Sequence, residues 1–241
     1  MELVFAVLLA GAGVWLLASG WCPVLSSAVR QLPDHGYIHA GQLEWGGPPI
    51  QALGGNDLLA LGVDLNQSGE SRAPADVQIA FGRNAIRVYS LFGYCEFPYP
   101  DPAGQDLSFN RPELEPWWGA WETPLLWISV AAILAGSTLV WFALATLQAP
   151  LVWLTAFFAN RDLAWRGSWK IAGAALMPGM LLLLAAIVFY GLEAFGLLEL
   201  LAAVIASFGT AWTYIALSLF FVPRLARTKS VKGNPFQTPG V

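Results

Sequence analysis

The stretch EPWWGAWETP, residues 115–124, puts three tryptophans within five residues and fences them with glutamates and prolines. What it touches depends on the residues after it. From Pro124 the chain runs LLWISVAAILAGSTLVWFALATLQAP and carries no charged residue before Arg161. A helix needs about 20 apolar residues to cross a hydrocarbon core roughly 30 Å thick. Thr123 suits an N-cap and Pro124 a first helical position, so the sequence predicts a span starting here. Trp117, Trp118, Trp121 and Trp127 then fall at the outer water–lipid boundary, where the amphipathic indole concentrates. The rival reading is an aromatic platform for a sugar ring, with Glu113, Glu115 and Glu122 as its only local polar groups.

Outward from that boundary the charge deficit recurs. Charged residues make up 12% of the 241-residue chain, against about 25% in soluble domains. No charge occurs between Glu2 and Arg30, between Lys170 and Glu193, or between Glu199 and Arg224. The expected fold is an α-helical integral membrane bundle of about four transmembrane helices with a small extracytoplasmic β-rich domain. The spans are placed near 2–20, 124–147, 171–191 and 199–222. The segment LLASGWC also resembles a signal-peptide tail, but it lacks a basic n-region, and an uncleaved anchor is expected.

Beyond residue 147 the apolar run passes Pro150 into LVWLTAFFAN. A kinked extension along the inner interface is expected there, with Trp153, Phe157 and Phe158 facing lipid. Ala132 and Gly136, spaced i and i+4, predict a close helix-packing face. Pro178 and Gly179 predict a kink or local opening in the third span.

Basic residues fix the orientation. Arg161, Arg166 and Lys170 lie between the second and third spans, and Arg224, Arg227, Lys229 and Lys232 follow the fourth. The third-to-fourth hairpin carries only Glu193 and Glu199. Both termini are therefore expected in the cytoplasm, at a plasma (bacterial inner) membrane. Trp165 and Trp169 join the basic residues in a patch suited to lipid headgroups. The division is an anchor at 1–20, an extracytoplasmic β-rich domain at 21–122, a three-helix region at 123–223 with a cytoplasmic loop near 160–170, and a basic tail at 224–241.

Residues 21–122 hold 12 acids, 5 arginines and no lysine. GYIHAGQLEW, NDLLALGVD, ADVQIAF and AIRVYSLFGY are short runs, broken by turn residues, that alternate in varying degree; they predict four or five antiparallel strands. EFPYPDPAGQDLSFNRPELEP is proline-rich and predicts an extended strap back to the membrane. Cys22 and Cys95 both fall in this domain, and an oxidising compartment predicts a disulfide between them.

Chemistry-bearing patterns are few. His35 and His39 lie near Asp34, but on a strand the two would stand about 13 Å apart, and no third metal ligand is evident. Asn66-Gln67-Ser68 is a glycosylation sequon; Asp64 and Asp76 flank it without a calcium-loop signature. There is no phosphate-binding glycine loop, nucleophile elbow, H-E-x-x-H or CxxC. No catalytic residue, metal or cofactor is expected. The spans lack the mid-membrane ionisable groups that ion-coupled pumps need.

The stretch DLAWRGSWKIAGAALMPGMLL, residues 162–182, resembles the cytoplasmic turn into a proline-bearing span in Yip1-like bacterial membrane proteins. Trp165 to Lys170 and Pro178 carry the likeness, which extends over 125–222 and the general layout. Certain of those families bear an outer insertion after the first helix, and some occur near maltodextrin utilisation. The resemblance implies a non-enzymatic membrane protein and supplies no catalytic residues. The expectation is an accessory, assembly or sensor protein whose outer domain binds a partner. Its partners would be the lipid bilayer and a membrane protein or a second copy, with no nucleic acid. A transporter or channel component and an extracytoplasmic sugar or ligand binder are the alternatives.

Overall fold

The structure is a computed structural model describing residues 2–66, 69, 73–100 and 106–224. The tail from 225 onward, with Arg227, Lys229 and Lys232, and the sequon residues Gln67 and Ser68 lie outside the described residues.

The first helix does not end at residue 20. α1 (Glu2–Leu16) passes through a π turn (Leu17–Trp21) into α2 (Cys22–Arg30). Pro23 has no N–H for the carbonyl four residues earlier. The ladder slips there, and the Cys22 N–H bonds the Leu17 carbonyl. α2 buries Val24 and Ala28 against the β domain.

Eight strands follow among the described residues, in place of the four or five expected: two of the runs read as single strands are hairpins, and Ile50–Gly55 and Leu107–Ser108, outside those runs, add two more. GYIHAGQLEW folds as β1 (Gly36–His39) and β2 (Gln42–Trp45). Their two-residue turn, Ala40-Gly41, has φ of 48° and 71°, and positive φ at both central residues suits the twist of a tight hairpin. Then come β3 (Ile50–Gly55), β4 (Leu59–Asp64), β5 (Val77–Phe81), β6 (Ala85–Ser90), β7 (Gly93–Pro98) and β8 (Leu107–Ser108). They form a sheet of order β2-β1-β8 and a sheet of order β3-β4-β5-β6-β7. The pairing is not wholly antiparallel, since β4 and β5 run parallel. β4 is buried throughout, as a strand covered on both faces should be. On β5 the alternation misleads: Gln78 and Ala80 are the buried residues, while Val77, Ile79 and Phe81 pack half-buried against the core of Leu53, Leu59, Leu61 and Val63.

Within the described part of the expected strap, Glu96–Pro98 belong to β7 and Leu107–Ser108 to β8, and only its last six residues, Arg111–Pro116, are helix. α3 runs from Arg111 to Phe158, 48 residues, through Pro116, Pro124 and Pro150. Its cap is Asn110, whose side chain accepts the Glu113 N–H at 3.1 Å, and Thr123 is an interior residue. No break separates the expected span from Val152–Phe158. α4 (Trp165–Gly191) continues through Pro178, and α5 (Leu197–Phe221) completes the bundle.

α4 packs between α3 and α5, and α1 lies against α3 and α4. The Trp141 indole donates to the Gly173 carbonyl at 3.2 Å, and a Cβ on Gly173 would meet that ring at 2.7 Å. At the end away from the sheets, Arg161 donates to the Val222 carbonyl at 2.7 Å and the Asp162 N–H to Pro223 at 3.0 Å. Four helical stretches, Glu2–Arg30, α3, α4 and α5, are long and apolar enough to cross a membrane.

Candidate functional site

The strand registers align one end of the five-stranded sheet. Leu59 pairs with Val77, Val77 with Ser90, and Ser90 with Gly93. This row faces the helices. Next to it, Asn56 donates to the Gly20 carbonyl in the π turn at 2.7 Å, and its carbonyl oxygen accepts the N–H groups of Leu58 and Leu59 at 3.1 and 2.8 Å. A Cβ on Gly20 would lie 2.7 Å from Leu58 Cδ1, so a larger residue there would push the Leu58 side chain aside. Further along the row, the Tyr190 phenol at the end of α4 interacts with the Asp76 carboxylate.

Beyond Asp76, on the β6–β7 side of the row, lies an open cleft of about 650 Å³. Asp76, Gln78, Tyr89 and Tyr94 line it from the sheet, and Gly196 to Glu199 line it from the start of α5. Gln78 is buried and accepts the Ala73 N–H at 3.4 Å. Glu199 is held as a cap, accepting the Gly196 N–H at 3.0 Å. Among the described residues the lining offers carboxylates, phenols, an amide and the Ser90 hydroxyl, which accepts the Phe92 N–H at 3.4 Å. A second cavity, about 260 Å³ and apolar, lies among the helices near Leu9, Trp141, Leu183 and Phe208. Its hydroxyls, Ser137 and Ser207, donate to carbonyls of their own helices.

The sequence-predicted residues divide between these regions. Trp118 is half-buried and donates to Ser26 Oγ at 2.8 Å, so it joins α3 to α2. Trp117 and Trp121 stack on each other at 6.2 Å, one turn apart and exposed, and Trp127 is exposed below them. At the far end Trp153 stacks on Phe157, Trp165 is exposed, and Trp169 donates to Thr146 while meeting Trp141 edge-on at 5.5 Å. Ala132 and Gly136 are exposed, and nothing lies within 4 Å of a Cβ built on Gly136. The expected packing face is therefore not used within the described residues of this chain. Close approach occurs at Gly173 and at another expected packing residue, Gly179, where a Cβ would come within 2.6 Å of the Ser207 carbonyl.

The expected disulfide is absent. Cys22 is buried at the start of α2, Cys95 is exposed on β7, and both are free. α2 packs on β3 and β4, while β7 is the opposite edge of the sheet. Four strand spacings separate β3 from β7, roughly 19 Å, where a disulfide tolerates less than 7 Å between Cα atoms.

Other polar groups are structural. His39 bonds Asp106, Asp34 pairs with Arg111 at 2.8 Å, and no cluster of three metal-ligating side chains occurs among the described residues. Tyr99 donates to the Gly82 carbonyl at 2.9 Å, and burial pushes its phenol pKa up. Sequence reasoning missed Asn56 and Asn110. The second had a signal, since Asn110-x-x-Glu113 is a capping-box spacing; the first did not, because its partner Gly20 lies 36 residues away.

Set against protein-family models, curated proteins and solved structures, the chain matches none of them.

Proposed function

We propose that this chain is a four-span integral membrane protein, with both termini cytoplasmic, that acts as an accessory or assembly subunit. Its β domain sits outside and offers strand β7 to a protein partner. One observation carries the reading: all six residues of β7 are exposed, with Tyr94 and Phe97 among them. An unpaired edge presents free N–H and C=O groups that template strand addition, and its alternate side chains add specificity. The other edge of the same sheet lies under α2.

The membrane part of the proposal rests on the length and apolarity of the four helices and on the basic residues at the ends of α3 and α5. The Yip1-like resemblance points to a non-enzymatic role. An ion-coupled transporter would need ionisable groups inside the bundle. The buried polar side chains described there are Gln148 and Ser168, neither of which ionises.

A photo-crosslinking residue at Tyr94 of the full-length protein, in native membranes, tests the reading. Tyr94 should give a discrete protein adduct, and the same probe at Glu44 on β2 should not. No adduct at Tyr94 or at Phe97, or equal adducts at Glu44, would overturn the docking role of β7.

A further inference from the structure

The β6–β7 connection, Ser90-Leu91-Phe92-Gly93-Tyr94, is a two-residue tip closed by Gly93 at φ 113°. Its side chains point away from the core: Leu91 is 55% and Phe92 78% exposed. The tip carries no charge. Along the hairpin the first charged side chains, Arg87 and Glu96, sit opposite each other in the register and pair at 3.2 Å, while the Asp76 and Glu199 carboxylates line the cleft beside the tip.

Its height is fixed by its neighbours. Ser90 and Gly93 form the last register pair at the helix-facing end of the sheet. The cleft they line is closed on its other side by Gly196, Leu197 and Leu198. Leu91 and Phe92 therefore stand level with the turn between α4 and α5, where Leu192 and Leu198 are also exposed. That turn is where the two helices would leave the hydrocarbon.

We propose that Leu91 and Phe92 insert into the headgroup region of the outer leaflet, giving the β domain its own contact with the bilayer. The inference rests on the membrane reading above. Lipid is the occupant chosen because exposed apolar side chains at the height of the helix ends meet the bilayer surface itself. An uncharged aliphatic–aromatic pair followed by Tyr94 has the amphipathic order that this boundary favours. With no basic residue at the tip, insertion draws on buried apolar area rather than on anionic lipid. The hairpin would then brace the β domain on the side opposite its joint to α1 and α2.

The test uses the full-length chain with Cys95→Ser, reconstituted in phosphatidylcholine vesicles. A fluorophore sensitive to its surroundings is attached through Phe92→Cys, and separately through Leu91→Cys, Leu139→Cys on the exposed side of α3, and Arg83→Cys in the turn at the far end of the β5–β6 hairpin. Nitroxide lipids labelled at the headgroup or deep in the chain act as quenchers. Positions 91 and 92 should be quenched by headgroup nitroxide, 139 by deep nitroxide, and 83 by neither. If 139 is quenched while 91 and 92 are not, the tip does not touch lipid and the membrane reading stands. If 139 is not quenched, the membrane reading itself fails. Labels at 91 and 92 that are shielded only in native membranes, and not in vesicles of the purified protein, would assign the tip to a protein partner and overturn the proposal.

Discussion

The five-stranded sheet has two edges of equal length that meet opposite surroundings. β3 and β7 each have six residues. Over β3 lies α2, so close that a Cβ on Gly54 would sit 3.1 Å from the Val24 carbonyl, and Gln51 reaches the Gln31 carbonyl at 3.5 Å. Among the described residues nothing covers β7, which is exposed along its whole length. The contrast assigns the edges different work: the β3 side holds the domain to the helices, and the β7 side is available. It also gives the two sides different sensitivities to substitution.

The largest difference is expected in the core beneath α2. Leu59 is fully buried among Val24, Leu53 and Leu61. Leu59→Ala should cost about 2–5 kcal/mol, the lost burial plus the cavity left behind. Phe97→Ala on β7 should stay within about 0.5 kcal/mol, as exposed substitutions do. Thermal unfolding of the full-length protein in detergent, followed by intrinsic fluorescence, compares the two. Equal shifts would mean that β7 is packed and the contrast is wrong.

A smaller effect is expected at the joint. Asn56→Ala removes the donor to the Gly20 carbonyl and the acceptor for Leu58 and Leu59. Leaving such part-buried groups unpaired should cost about 1–3 kcal/mol. Hydrogen exchange should accelerate at Leu17–Trp21 and Leu58–Leu59 while β6 and β7 keep their rates. Uniform acceleration would show that the joint has no separate identity.

How much of this is legible in the sequence depends on the range of the cause. The four long apolar helices are, because a charge-free run is a local property that length alone interprets. The existence of strands in ADVQIAF and NDLLALGVD is, since each is a short apolar run bounded by turn residues, although the alternation in ADVQIAF does not show which face is buried. The sheet order is not: the parallel β4–β5 pair depends on where a crossover returns the chain, and alternation within a strand does not encode that. α3 escapes a reading that takes prolines as breaks. Pro116, Pro124 and Pro150 each forfeit a backbone bond, yet packing along Leu114, Trp118 and Trp141 carries the helix through. The tryptophans of EPWWGAWETP stand out in the sequence as a cluster, but which of them faces inward is a matter of helical phase. Trp118 turns to Ser26 while Trp117 and Trp121 stack outside.

The smallest energetic effect gives the sharpest test of the two edges. Cys95 lies exposed on β7 and Cys22 is buried where α2 begins, beside Glu122 of α3. Cys95→Ser should change stability by less than about 0.5 kcal/mol, because its surroundings are open. A maleimide added to the native protein without reductant should modify Cys95 alone, and Cys22 should react only after unfolding. The outcome is dictated by the sheet order, since β3 and β7 stand too far apart to share a disulfide. A protein that takes no label until reductant is added would join the two cysteines. That would require β7 to lie near α2, and both the strand order and the open edge would have to be given up together.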